Sequence, residues 1–315
     1  MKFLFFFFLL LGCNQDQVDC TLKGNHCHKA NPTPSEEDMI TDAQKVELLN
    51  LKDSIKTWAL SCEGGIACGE NDSLVPESGD SMLWAGLLCL SGEGSQCSPA
   101  KASQDSTTGQ LYRNPAGSRG TNDSSRDMLL GFLSYLTASK DKDAATLLLR
   151  YIENNDYKLC SNATDNRCNV GTSHKSIWGT MKGVWLSIGL NPTSDMNKGE
   201  VGSGTLANLE SQFASEGYPL HLVGVEILLK QETDRFSTGL GQAANNLLRK
   251  EPNNPFFEYL AKGKTARAAQ LVLEKCPKDS NHVRKQWAWQ RTESEQAWLQ
   301  SKGWDCTFLA NILTR

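Results

Sequence analysis

The sequence predicts an all-α protein: an α/α toroid, a complete or incomplete barrel of helical hairpins, with disulfide-stapled loops. Three observations predict it. No stretch alternates apolar and polar residues with period two between hairpin turns, so strands are not expected. Strongly apolar segments recur with a glycine inside each, Gly86, Gly131, Gly183 and Gly224, at intervals of 45, 52 and 41 residues. That spacing suits one helix–loop–helix–loop unit. The segments between them, such as 140–156, are more amphipathic. Helices apolar on most faces are buried on both sides and amphipathic ones border solvent, so a buried inner ring within an amphipathic outer ring is the expected architecture.

The chain divides into a signal segment over 1–12, a polar tether over 13–37 and one helical domain over 38–315. Met1-Lys2 provides a minimal positive start, and Phe3 to Leu11 is unbroken apolar sequence. Such a run is too short to span a bilayer as a helix and reads as a secretory h-region removed on maturation. Leu10-Leu11-Gly12-Cys13 resembles the bacterial lipobox. The resemblance implies that Cys13 is the lipidated, palmitate-bearing first residue of a lipoprotein. Asn14, where an Asp would retain a lipoprotein at the inner membrane, implies the outer membrane. The expected location is therefore the bacterial cell envelope, with a lipid anchor; an ordinary signal peptide with a chance cysteine is the alternative.

The cysteines agree with export. There are 11, and removing Cys13 leaves ten. These fall into sequential neighbours: Cys20 with Cys27, Cys62 with Cys68, Cys89 with Cys97, Cys160 with Cys168, and, further apart, Cys276 with Cys306. Connectivity does not follow from sequence alone, but short spacings bounded by Gly, Asn and Ser favour local staples in an oxidising compartment. Metal ligation fares poorly, because no Cys-x-x-Cys pair occurs and the histidines do not gather around cysteines, His26 and His28 beside Cys27 excepted. No metal and no cofactor are expected.

Composition narrows the function classes. Hydrophobic residues make 39% and charged residues 22%, with a formal charge of −4. This is a globular balance with no basic footprint, so nucleic acid is not an expected partner.

Taken in order, Thr41-Asp42 caps a first helix through Val46, Leu48, Leu49, Leu51, Ile55 and Trp58. A glycine-rich loop over 62–77 leads to the apolar helix around Leu83-Trp84-Ala85-Gly86-Leu87-Leu88. The stretch 91–122 is polar and nearly aperiodic, which suggests a binding or lid loop. Helices are then expected at Asp127–Ala138, Asp143–Asn154, Ser176–Ile188, Leu206–Ser215, Leu220–Gln231, Gly241–Arg249, Pro255–Ala261 and Thr265–Cys276.

Inner-helix N-termini sharing one face would gather chemistry there. Asp80 and Asp127 each stand at the mouth of an apolar helix, as caps or as a catalytic pair in which one carboxyl protonates a leaving oxygen and the other activates water or attacks. Trp84 and Trp178 supply aromatic rings, in the core or as platforms. Gln104, Tyr112, Arg113, Asn122, Arg126 and His174 complete the candidate substrate-binding set. Arg126 and Asp127 could also pair with each other or with neighbours. His221, inside an apolar run, reads as a satisfied core histidine. No nucleophile elbow, zinc-protease helix or phosphate-cradling loop occurs.

Over roughly residues 40–315 the pattern resembles the (α/α) barrels of several glycoside hydrolase and polysaccharide lyase families. There the inner-helix mouths and their loops build the active cleft. The resemblance implies a membrane-anchored carbohydrate-active enzyme, hydrolase or lyase, acting on a polysaccharide. A lyase would use Arg113 or Arg126 to neutralise a uronate and His174 or Tyr112 as base. The alternative is a non-catalytic surface lipoprotein that binds glycan or protein through the same concave face.

Overall fold

Twelve α-helices account for nearly all regular structure among the described residues. In chain order they are α1 (Asp42–Trp58), α2 (Ser81–Leu90), α3 (Cys97–Ala102), α4 (Arg126–Ser139), α5 (Lys142–Asn154), α6 (Lys175–Ser187), α7 (Ser203–Phe213), α8 (Tyr218–Thr233), α9 (Leu240–Lys250), α10 (Pro255–Lys262), α11 (Ala266–Lys275) and α12 (Trp304–Thr314). The computed structural model describes residues 38–59, 65–67, 81–113, 124–160, 175–194, 196, 203–233, 239–278, 287 and 303–315. From Ile40 onward they belong to one compact unit.

Capping chemistry sets several of the starts. Thr41 and Gln44 form a reciprocal capping box at α1: the Thr41 hydroxyl accepts from the Gln44 N–H at 3.1 Å, and the Gln44 side chain accepts from the Thr41 N–H at 3.1 Å. The Gln44 amide also donates to the Ala266 carbonyl at 3.1 Å, tying α1 to the start of α11. Asp141 caps α5, Thr265 caps α11, and Asn254 caps α10 ahead of Pro255 at the first helical position.

Two kinds of helix result. Every residue of α2 is buried, as are Asp127–Thr137 of α4, Val223–Lys230 of α8 and Trp304–Leu313 of α12. By contrast α1, α5, α9 and α11 bury one stripe, for example Ala144, Ala145, Leu148 and Ile152 in α5. The two buried helices α2 and α4 make the most intimate contact. A Cβ on Gly86 would collide with the Gly131 carbonyl, and one on Gly131 with the Met82 carbonyl, so only glycine permits this backbone approach. Gly224 is held similarly, with the Phe256 ring 2.9 Å from where its Cβ would lie.

The packing runs from helix to helix: α2 against α4 and α12, α4 against α6 and α8, α6 against α8, α8 against α10, α10 against α11, and α11 against α12. Disulfide Cys276–Cys306 joins the C-terminal end of α11 to α12, and Cys89–Cys97 joins α2 to the start of α3. Cys160 is also disulfide-bonded; Cys168, its expected partner, lies outside the described residues, as do Cys13, Cys20, Cys27, Cys62 and Cys68.

The stretch 91–122, expected as a long aperiodic loop, is partly ordered by short elements. It holds a 3-10 turn (Gly94–Gln96), α3 and an isolated bridge between Gln104 and Leu111. These pieces are too short to show a period, and they are fixed by tertiary contacts instead. Gln96 is buried and bridges the Ala67 N–H and the Gly65 carbonyl, and Cys97 is tied to α2. No helix among the described residues is long and apolar enough to cross a membrane.

Candidate functional site

The first turn of α4 is where the expected site residues meet. Ser125 precedes it in extended conformation, φ −148° and ψ 179°, and its hydroxyl leaves the helix N–H groups uncapped. It donates instead to Asp127 Oδ1, while the Tyr218 hydroxyl donates to Asp127 Oδ2 at 2.6 Å. Asp127 is 7% exposed, and both its oxygens accept hydrogen bonds. Arg113 Nη2 donates to the Ser125 hydroxyl at 3.4 Å, and the Arg113 carbonyl accepts from the Met82 N–H at 2.8 Å. Arg113 thus links the start of α2 to the start of α4.

Arg126 turns the other way, because adjacent helix positions project about 100° apart. Its Nε donates to Glu226 Oε1 at 2.8 Å and its Nη2 to Glu210 Oε2 at 3.0 Å, with a second contact from Nη2 to Glu226. Its partners are therefore Glu226 of α8 and Glu210 of α7. The Glu226 side chain is wholly buried, Glu210 retains 28% exposure and Arg126 18%. Burial alone would lower the Arg126 pKa; the Glu226 and Glu210 carboxylates overcome that and hold it above the ordinary arginine value. An ion pair this deep persists because both charges are matched and hydrogen-bonded.

Consecutive residues Arg126 and Asp127 thereby fasten both sides of the α7–α8 turn, Glu210 before it and Tyr218 after it. Just beyond the turn His221 is fully buried. Its Nδ1 lies 2.8 Å from the Gly217 carbonyl and its Nε2 2.8 Å from the Asn254 amide nitrogen. The Asn254 oxygen is committed to the Phe256 and Phe257 N–H groups at 3.0 and 3.3 Å, so Asn254 presents its NH2. That makes Nε2 the acceptor and Nδ1 the donor, a neutral ring. Desolvation lowers the His221 pKa to about 4, against the smaller opposing effects of Glu251 and the Gly217 carbonyl. The ring stacks on Trp287 at 4.8 Å, a core arrangement.

Other expected site residues lie elsewhere. Gln104 is buried and donates to the Ala144 carbonyl at 3.0 Å and the Gly109 carbonyl at 3.4 Å. Tyr112 is buried with its hydroxyl on Gln110 at 3.2 Å. Trp84 has no face open to solvent and meets Trp287 edge-on at 4.7 Å; Trp178 is buried edge-on against Tyr157 at 5.7 Å. These contacts suit packing rather than an open platform. Asp80, Asn122 and His174 lie outside the described residues.

Sequence inspection missed Glu210, Tyr218 and Glu226. Glu226 carried a signal: it is the lone acid in the apolar run Val223–Leu229, and a carboxylate buried there requires a cation. Nothing in the sequence said that the cation would be Arg126, 100 residues earlier. Among the described residues no group of three or more His, Cys, Asp or Glu is placed to hold a metal ion. The cluster can donate and accept hydrogen bonds at a partly open rim formed by Arg113, Arg126, Glu210 and Tyr218. Comparison with protein-family models, with curated proteins and with solved structures finds no match in any of the three.

Proposed function

We propose that this chain is a lipid-anchored envelope protein that captures a glycan at the mouths of α4 and α8 without cleaving it. The observation that carries this reading is the state of Asp127. Both carboxylate oxygens are already engaged, by Ser125 and Tyr218, and little of the side chain reaches solvent. A glycosidase carboxyl must reach the scissile oxygen, the anomeric carbon or a water. The half-buried groups around Asp127 are hydroxyl, guanidinium and carboxylate, suited to the hydroxyls of a sugar.

The finer architecture belongs to the same proposal. The unbroken run of contacts α2–α4–α6–α8–α10–α11–α12 and back to α2 supports an α/α toroid, with the Asp127 cluster on one rim. The lipobox-like Leu10–Cys13 supports an anchor at Cys13 in the bacterial outer membrane, with the tether 14–37 between lipid and domain. Cys13→Ser should release the protein into the soluble fraction and abolish acyl labelling; unchanged fractionation sinks the anchor.

The binding reading is tested on a glycan array together with a reducing-end assay. Saccharide binding that Asp127→Asn and Tyr218→Phe weaken, with no new reducing ends or unsaturated products, is the expected result. Turnover that disappears in Asp127→Asn while the melting temperature stays within a few degrees would instead establish the hydrolase or lyase. That second reading is favoured by one contact, the Tyr218 hydroxyl 2.6 Å from the Asp127 carboxylate, which has the make-up of an acid–base pair.

A further inference from the structure

We infer that Phe213, at the end of α7, is the ring-stacking platform of this saccharide site. The inference rests on the binding reading above and adds the group that would recognise the apolar face of a sugar. Phe213 is 81% exposed, and Leu209, one turn earlier on the same side of α7, is 43% exposed. A phenylalanine open to this degree buries almost none of its ring in the fold, which leaves the ring free for a ligand.

Its position ties it to the cluster. Glu210, three residues before Phe213, accepts from Arg126; Tyr218, five residues after, donates to Asp127. The segment carrying the ring is thus pinned at both ends to the first turn of α4. The turn is held again from behind, where the Gly217 N–H donates to Glu251 Oε1 at 3.1 Å and Lys250 Nζ to the Ala214 carbonyl at 2.7 Å. Residues three apart on a helix are surface neighbours, so the ring stands next to the Glu210 that accepts from Arg126, on a segment held by hydrogen bonds on both sides. An aromatic ring next to polar groups matches a pyranose, which is apolar on one face and hydroxylated at its edge. Among the described residues this patch is the two side chains Phe213 and Leu209, far short of the about 800 Å² that each partner of a stable dimer supplies.

The test uses the full chain, with hexasaccharides of neutral hexose, N-acetylhexosamine and uronate as probes, titrated calorimetrically. Phe213→Ala should weaken the best-binding hexasaccharide about ten-fold, the scale of one aromatic stack with its buried area, and Phe213→Trp should restore binding. Because the side chain is exposed, both variants should melt with the unaltered protein. If Tyr218→Phe weakens binding and Phe213→Ala does not, the site stands and the platform is overturned. If the unaltered protein binds none of the probes, the binding reading itself fails and the platform with it. Sedimentation showing a dimer that Phe213→Ala dissociates would assign the ring to a second copy and overturn the proposal.

Discussion

Arg126 of α4 and Glu226 of α8 form an ion pair whose carboxylate is shut off from solvent, with Glu210 of α7 completing the triad. Replacing Arg126 by Met would strand Glu226 and should cost about 3–5 kcal/mol in chemical denaturation. Glu226→Gln should cost less, since Glu210 still matches the arginine. The double variant Arg126→Met, Glu226→Leu should recover most of the loss. A double variant no more stable than Arg126→Met would show that the pair is not the origin of the penalty.

His221 makes stability depend on pH in a definite direction. Its folded-state pKa, about 4, lies below the ordinary 6.5, so the unfolded chain takes up the proton first. The contribution is complete above pH 6.5 and falls away as pH drops toward 4, by about 3 kcal/mol across the window. Melting curves at half-unit steps should show this slope, and His221→Gln should flatten it. An equal slope in both proteins would assign the titration to other groups.

The two glycine contacts differ in what they can tolerate. Gly86→Ala drives a methyl into the Gly131 carbonyl, a backbone atom that cannot step aside. A loss of about 3 kcal/mol or more is expected, the upper end of overpacking. Gly183→Ala meets the Thr233 hydroxyl at 2.6 Å and the Thr233 Cβ at an ordinary 3.4 Å. The hydroxyl can rotate away by giving up its bond to the Leu229 carbonyl, a loss that alanine's gain of about 1 kcal/mol in helix propensity over glycine offsets. That variant should be close to neutral in urea unfolding; equal losses at both sites would refute the distinction.

The two disulfides should contribute in the order of their loops. Cys276–Cys306 encloses a separation of 30 residues and Cys89–Cys97 one of 8. On the chain-entropy estimate their paired replacement by Ser costs about 3.5 and about 2.5 kcal/mol respectively. Reversal of that order under matched denaturation would point to native-state packing as the larger effect.

The helical plan was legible in the sequence because it depends on local periodicity. The apolar runs around Gly86, Gly131 and Gly224 appear as the buried helices α2, α4 and α8, and Lys142–Asn154 as a one-sided helix. The pairings Cys89–Cys97 and Cys276–Cys306 were legible from spacing and the expected compartment. His221 was recognisable as a core residue from its apolar neighbours, and it is fully buried.

What each polar residue does was decided by the tertiary structure. Asp127 could be placed at a helix mouth from sequence, but its partner Tyr218 lies 91 residues away. Trp84 and Trp178 could be identified as aromatic, yet whether a ring packs inside or faces a ligand depends on which helix covers it; Trp287 and Tyr157 cover these two. Phe213 reads as an ordinary apolar residue in its own segment, and only the packing of α7 leaves it open. Local periodicity therefore determined which residues form helices and which helices are buried. Hydrogen bonds and ion pairs between distant segments determined the rest, because a polar group entering the interior must find its partner wherever the fold brings one within reach.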